Sequence, residues 1–340
     1  VLTDMGFTAP RLPLAALALS AVGCASILLT RHIDRRRRLP LSAAAHFKWV
    51  RKHFSNVERR AELNLAVEMA LECGKAIMLS AGARVQWKDD NGIDPCTATD
   101  EANEALVMKA IAQAFPTHAL IGEEGSAKAG CIPSLDTETP TWIVDPIDGT
   151  QNFVHGLPLS AVSIGLCVYG RPHLGVVYSP HLDELYVGVI GSGSFLNGRR
   201  LYGDGCEQVG QAMVITDVGY ERSPTGIKRM GAVTASLLGS SVRALRIIGS
   251  SVLSVCCVAS GRASAFYCGM YEKDCPKPWD WCAAYVIANE AGVVFKRLDG
   301  SAENAARAFD VMDCPSACCA GSEVLAHTLQ TMVREAMTSA

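Results

Sequence analysis

At 340 residues the chain is long enough for about two average domains, and with 49% hydrophobic against 19% charged residues it can bury a sizeable core, which excludes wholesale disorder. The net charge of −3 conceals a division: residues 1–60 carry 11 Lys/Arg against 3 Asp/Glu, a charge of +8, and the remaining residues carry 20 against 31, a charge of −11. Such an acidic body excludes nucleic-acid binding as its main function, because a polyanion is gripped by clustered Lys/Arg that displace its counterions.

The basic leader contains 19 uncharged residues, Leu12 to Thr30, followed by Arg31 and Arg35 to Arg38. As a helix this run measures roughly 28 Å, close to the hydrocarbon core of a bilayer. Read as an anchor, it keeps everything downstream in the cytoplasm by the positive-inside rule. Two other readings stand beside it: a signal peptide cut after Gly23-Cys24-Ala25, and an Arg-rich transit peptide that would deliver a soluble body to an organelle. On this reading residues 1–54 are a hydrophobic and basic leader and residues 55–340 the folded domain.

A capping box of Ser55 and Glu58 predicts a helix with Leu63, Ala66, Val67, Ala70, Leu71 and Ile77 on its buried face. A second helix follows Thr99, turns Leu106, Ala110, Ile111 and Phe115 inward, and stops before Pro116. Short β-rich runs come next, at 141–144, 161–168, 174–178 and 185–190, and the turns between them predict antiparallel neighbours. The second half alternates: a strand at 213–216, helices at 226–238 and 249–260, a helix from Trp279 to Asn289 stopped near Gly292, and a strand at 293–296. A layered α/β body results. The 14 cysteines are irregularly spaced in apolar stretches, and the tightest groups, Cys256/Cys257 and Cys314/Cys318/Cys319, lack the spacing of a zinc site. They read as buried, reduced thiols, which favours a reducing compartment.

Three acidic groups sit where apolar runs end. They are Gly122-Glu123-Glu124-Gly125, Asp145-Pro146-Ile147-Asp148-Gly149-Thr150, and Trp279-Asp280-Trp281 at a helix start. Taken singly, each has an ordinary explanation as a solvated loop, a turn or an N-cap. Together they supply a hard cation: Asp145, Asp148 and the Ile147 carbonyl leave a buried strand through a proline turn, and all-oxygen donor sets suit Mg²⁺ or Mn²⁺. Beside them, the Gly149 and Thr150 amides can face an anion.

In this order, with Thr97-Ala98-Thr99-Asp100 upstream, Gln151-Asn152-Phe153 after the aspartates, and Glu290-Ala291-Gly292 near the end, these segments resemble the signatures of the inositol monophosphatase family. The resemblance runs from about residue 58 to about 335. It implies an αβαβα sandwich of the inositol monophosphatase and fructose-1,6-bisphosphatase type, a Li⁺-sensitive phosphomonoesterase using two or three Mg²⁺ ions, and a homodimer. Carried over residue by residue, Glu123, Asp145 and the Ile147 carbonyl match the first metal site, and Asp145, Asp148 and Asp280 match the second. Thr150 and Asp100 match the pair that, with Glu123, activates the attacking water, while Gly149 and Thr150 hold phosphate. Lys88 lies where the family often has a lysine near a metal-binding loop.

Two departures concern the alcohol half of the substrate. Inositol-selective relatives place a glutamate after an Ala-Tyr-Tyr-like segment, whereas here Phe266-Tyr267 is followed by Cys268. The segment Cys268 to Pro278 is also longer, which makes Glu272 a candidate for the missing role, with Asp148 and Ser251 as further substrate contacts. The expected reaction is hydrolysis of a small phosphate monoester, inositol 1-phosphate first. Histidinol phosphate, galactose 1-phosphate, sugar bisphosphates and 3′-phosphonucleotides are the alternatives within the superfamily, and a non-catalytic binding or regulatory module is the remote one.

Overall fold

The computed structural model describes residues 41–80, 85–88, 94–269, 275–298, 310–313 and 316–340. The leader run 12–30, Glu272 and Cys314 lie outside the described residues. Among the described residues no helix is long and apolar enough to cross a membrane.

Two sheets form the frame. The larger joins β3 (Ala119–Gly122), β4 (Thr141–Asp148), β5 (Ala161–Val168), β6 (Arg171–Ser179), β7 (Glu184–Val189), β8 (Gly193–Leu196) and β9 (Arg199–Arg200) in chain order. Only its β3/β4 pair is parallel; β4 to β9 form the expected antiparallel run. The smaller has the order β11 (Ala244–Ile247), β10 (Met213–Thr216), β12 (Ala265–Cys268), β14 (Ala317–Ala320) and β13 (Val294–Arg297). A separate hairpin pairs β1 (Val85–Trp87) with β2 (Pro95–Thr97).

Period-two alternation sorts the strand side chains into three cores. Trp142, Val144, Ile164, Leu166 and Val176 face α2 (Arg60–Leu79) and α3 (Ala98–Ala114), meeting Leu63, Val67, Val107 and Ile111. Ile143, Cys167, Val177 and Tyr186 face the other way, toward α7 (Ser251–Ala259) and α8 (Pro278–Asn289), whose far side meets Phe266 and Cys319 of the smaller sheet. Val214, Ala265, Tyr267 and Cys318 look outward onto α6 (Pro224–Gly239) and α9 (Glu323–Thr338). The layers are therefore α, β, α, β, α.

The middle helix α8 lies unusually close to the larger sheet. A Cβ on Gly175 would sit 2.7 Å from Ala283 Cα, and one on Gly188 would sit 2.9 Å from Ile287 Cα. These glycines pair across β6 and β7, so helix backbone rests directly on strand backbone. This seat fixes the height of α8 and of the aspartate in its first turn.

Four expectations change. The Ser55/Glu58 capping box does not form: α2 begins at Arg60 after Arg59, which makes no side-chain cap, because Phe54 is buried and Val57 packs against the same core through the preceding turn. Helix α3 begins at Ala98 instead of after Thr99, and Thr97 caps it in a reciprocal box with Asp100. Leu106 is 41% exposed. Asn103 and Glu104 take the inward positions instead, because Asn103 donates to the Cys73 carbonyl at 3.4 Å and Glu104 accepts the Glu124 and Gly125 amides at 2.8 and 2.7 Å. Finally, the compact body reaches back to Ala43. Helix α1 (Ala43–His53), within the expected leader, buries Trp49 and Val50, and its buried His46 pairs with Asp183 at 3.2 Å. The described cysteines are all free thiols, and most of them are buried.

Candidate active site

A cavity of about 660 Å³ opens where β4, α4 (Glu123–Ala129), α5 (Thr150–Val154), α8 and the loop after β10 meet. Its acidic floor arises from a defect in β4. Along a regular strand, side chains three residues apart point to opposite faces. Here Asp145 pairs with Ser163 and Asp148 with Ala161, so three steps on β4 match two on β5. The extra residue is a β-bulge at Pro146-Ile147, and it turns both carboxylates to one side. The Ile147 amide donates to Asp145 Oδ1 at 3.0 Å, which locks the bulge. Helix α8 brings Asp280, whose Oδ2 accepts the Lys277 amide at 2.6 Å, and Ser163 ties down the Trp279 carbonyl at 3.1 Å. One oxygen each from Asp145, Asp148 and Asp280 then lies within 4.8 Å of the others.

Burial and mutual repulsion make this cluster costly as anions. Removal from water, then the neighbouring carboxylates, push Asp145 and Asp148 well above the usual carboxylate range. Burial likewise raises Asp280 to about 6 and Glu123 to about 8. Glu123 opens α4 and pairs with Lys88 Nζ at 2.6 Å, and the same ammonium reaches Glu124 at 2.9 Å. Burial disfavours the Lys88 charge, but its two glutamate partners outweigh this and hold it protonated. With the charge of Lys88 committed to the two glutamates, the three aspartates call for further positive charge. All-oxygen donors converging on one point fit a hard divalent cation.

Gly149 follows with φ of 81°, and a Cβ there would sit 2.8 Å from the Leu159 carbonyl, so both backbone and space require glycine. The turn starts α5, where Thr150 Oγ1 lies 2.9 Å from the Ile147 carbonyl and 3.4 Å from Asp100 Oδ1. One hydroxyl proton serves one of these, and distance favours Ile147. Asp100 is completely buried, accepts the Thr97 amide at 2.8 Å on its other oxygen, and is raised to about 6 chiefly by burial.

The structure thus brings Asp145, Asp148 and Asp280 together, with Glu123, Gly149, Thr150 and Ser251 on the same cavity and Asp100 behind Thr150. The Ile147 carbonyl is turned to Thr150. Sequence reasoning missed three supporting residues. Glu104 holds the start of α4. Ser250 hydrogen-bonds Asp148 Oδ2, and Asp217 bonds Gly249 N at 3.0 Å and Ser251 Oγ at 3.3 Å. A polar residue at the end of an apolar strand and a serine before an apolar helix were the available signals for Asp217 and Ser250. Asn152, read only as part of a motif, donates to the Leu159 and Ile248 carbonyls at 2.8 and 2.7 Å and so joins the turn after Gly149 to the second sheet.

The family model for the inositol monophosphatase family matches residues 58–337. Inositol monophosphatase 3 of Solanum lycopersicum is 40% identical over 230 residues, 68% of this chain and 83% of that protein. Inositol monophosphatase 2 of Homo sapiens is 37% identical over 273 residues, 78% of this chain and 90% of that protein. Among solved structures, the extragenic suppressor protein suhB of Bartonella henselae superposes with a TM-score of 0.68 at 25% identity, covering 81% of this chain and 99% of that one. The Thermotoga maritima IMPase gives a TM-score of 0.67 at 27% identity over 82% and 98% of the two chains. The bulged aspartates and the acidic helix start thus sit in a chain that belongs to the inositol monophosphatase family, a family of metal-dependent phosphatases.

Proposed function

We propose that the protein hydrolyses inositol 1-phosphate or a closely similar polyol monophosphate with Mg²⁺. The observation that carries this reading is the convergence of three aspartate oxygens, two of them from buried residues, beside a glycine turn on one cavity, since that combination suits a phosphate neutralised from one side and held by amides from the other. The inositol monophosphatase names of its relatives supply the substrate.

Asp145, Asp148 and Asp280 would hold the cations, with Glu123 and the Ile147 carbonyl beside them. When bound, Mg²⁺ supplies charge neutralisation and a more acidic water. The chain's own groups do the rest. The Gly149 and Thr150 amides orient the phosphate. Thr150 stands between the cavity and Asp100, and Asp100, as a carboxylate, would take up a proton passed through the hydroxyl once that hydroxyl turns from the Ile147 carbonyl to Asp100 Oδ1, 3.4 Å away. Glu123 shares the work at the metal edge, where its pairing with Lys88 keeps it oriented. A homodimer, Li⁺ inhibition and an anchor at residues 12–30 belong to the same proposal; carbonate extraction of the full-length protein from membranes tests the last.

A second reading rests on Cys268, a thiol in the cavity wall where inositol-selective relatives carry a carboxylate. It favours a monoester whose alcohol offers fewer hydroxyls. Both readings meet one experiment: the full chain, assayed for phosphate release from inositol 1-phosphate, galactose 1-phosphate, histidinol phosphate, a sugar bisphosphate and a 3′-phosphonucleotide. The first reading expects the highest kcat/KM for inositol 1-phosphate, abolished by chelator and by Li⁺. Activity that survives chelation would sink both.

A further inference from the structure

Two sheets meet at the cavity, and the segment joining them there is the turn Ile248 to Ser251 at the start of α7. From the larger sheet's side, Asn152 donates its amide to the Ile248 carbonyl at 2.7 Å. From the smaller sheet's side comes Asp217, the residue after β10. Its carboxylate spans the turn: Oδ1 accepts Gly249 N at 3.0 Å and Oδ2 accepts Ser251 Oγ at 3.3 Å. Between those two anchor points stands Ser250, whose hydroxyl donates to Asp148 Oδ2 and accepts the Leu253 amide at 3.2 Å.

We propose that Asp217 is a positioning residue for the metal centre: by holding Gly249 and Ser251 it aims the Ser250 hydroxyl at Asp148, and so fixes which oxygen of Asp148 is left for the cation. A hydroxyl bond to one carboxylate oxygen selects a single side-chain orientation and leaves the other oxygen facing the cluster. The turn can hold that aim only if its ends are fixed, and the serine's flanking residues are the two that Asp217 grips. The inference rests on the proposed divalent-cation site and adds to it a residue from the opposite sheet.

Asp217 also carries a charge close to Asp148, so loss of the tether must be separated from loss of the charge. Asn at 217 keeps an acceptor for Gly249 N and a donor for Ser251 Oγ but has no charge; Ala removes both tethers. Binding of Mn²⁺ to the full chain is measured by titration calorimetry, with thermal melts in chelator to verify folding. Outer partners of metal ligands are worth about 10- to 100-fold in affinity. Accordingly D217A and S250A are each expected to weaken Mn²⁺ binding about tenfold, and the double variant by about tenfold rather than a hundredfold, because both cut one chain of contacts. D217N is expected within about threefold of the wild type. S251A, which cuts a single arm, is expected to cost about two- to threefold alone and nothing in the S250A background, a comparison that stands even if D217A fails to fold. Losses that multiply in the double variants would overturn the proposal, as would a D217N defect equal to that of D217A, which would make Asp217 a charge effect. Wild-type protein that binds no Mn²⁺ would instead sink the metal reading beneath it.

Discussion

The two walls of the cavity differ in how their residues are held. On the proposed phosphate side, Asp145, Asp148, Gly149 and Thr150 come from six consecutive residues, sit in or directly after a strand buried along its whole length, and have backbone partners nearby in sequence. On the opposite wall, the proposed alcohol side, Val218, Tyr220 and Ile247 are exposed, and the contacts that order the wall cross more than thirty residues. Under the proposed function, the chemistry that every substrate shares is built into the rigid wall, and the part that meets the variable alcohol is assembled from loop ends. Substitutions on the first wall should therefore abolish turnover, and those on the second should redistribute KM among substrates.

The largest effect is expected for Asp145→Asn. It removes one cation ligand and should lower kcat for phosphate release by about a hundredfold or more, the scale seen when a single transition-state partner is lost. In chelator the same change should raise the melting temperature, because it relieves repulsion among buried carboxylates. Turnover within tenfold of the wild type would remove Asp145 from the chemistry and erase the contrast between the walls.

Next comes Gly175→Ala, which tests whether the seat of α8 belongs to the rigid wall. The added methyl meets Ala283 backbone that cannot step aside, so a loss of about 3 kcal/mol is expected in urea unfolding, at the upper end for overpacking. Since α8 carries Asp280, kcat should fall in the fraction that remains folded. A fully active, equally stable variant would show that the helix does not depend on this contact.

A third prediction concerns pH without metal. Glu123 at about 8 and Asp100 and Asp280 at about 6 lie above their ordinary 4.5 and 3.8, so between these values the folded chain keeps protons that the unfolded chain has released. Their contribution to stability is complete below about pH 4 and is lost as pH rises through 6 and then 8. Melting temperature in chelator should accordingly be higher at pH 5.5 than at pH 8, and saturating Mg²⁺ should shrink the difference. A chelated protein that grows more stable toward pH 8 would contradict the electrostatic picture of the acidic wall.

The contrast also governs what was legible in the sequence. Strand β5 matches its expected limits, and β4, β6 and β7 match to within a few residues, because their apolar residues and turn signals are local. The acidic cluster was visible because its members sit in short runs at element ends. The bulge that turns Asp145 and Asp148 to one side was not, since it depends on the register of β5. Leu106 misled because the inward face of α3 is given to Asn103 and Glu104, polar residues that serve partners 20 or more positions away. Asp217 and Ser250 carried only weak local signals, because their partners also lie far away in the chain.

The smallest effect is expected at Cys268, which sharpens the contrast from the alcohol side. This thiol lies in the cavity wall at 3% exposure, paired by backbone with Ala317 of β14, so it offers a substrate little surface and only a weak donor. Cys268→Ala should therefore leave KM for inositol 1-phosphate within about twofold of the wild type and lower stability by only about 1 kcal/mol, the cost of a small buried group. A glutamate at this point would bond two hydroxyls at once; a thiol cannot. If KM rises tenfold for inositol 1-phosphate but not for p-nitrophenyl phosphate, the thiol touches the alcohol. Cys268 would then share the task of reading the substrate, and that task would extend from the loop ends into the core of the second sheet.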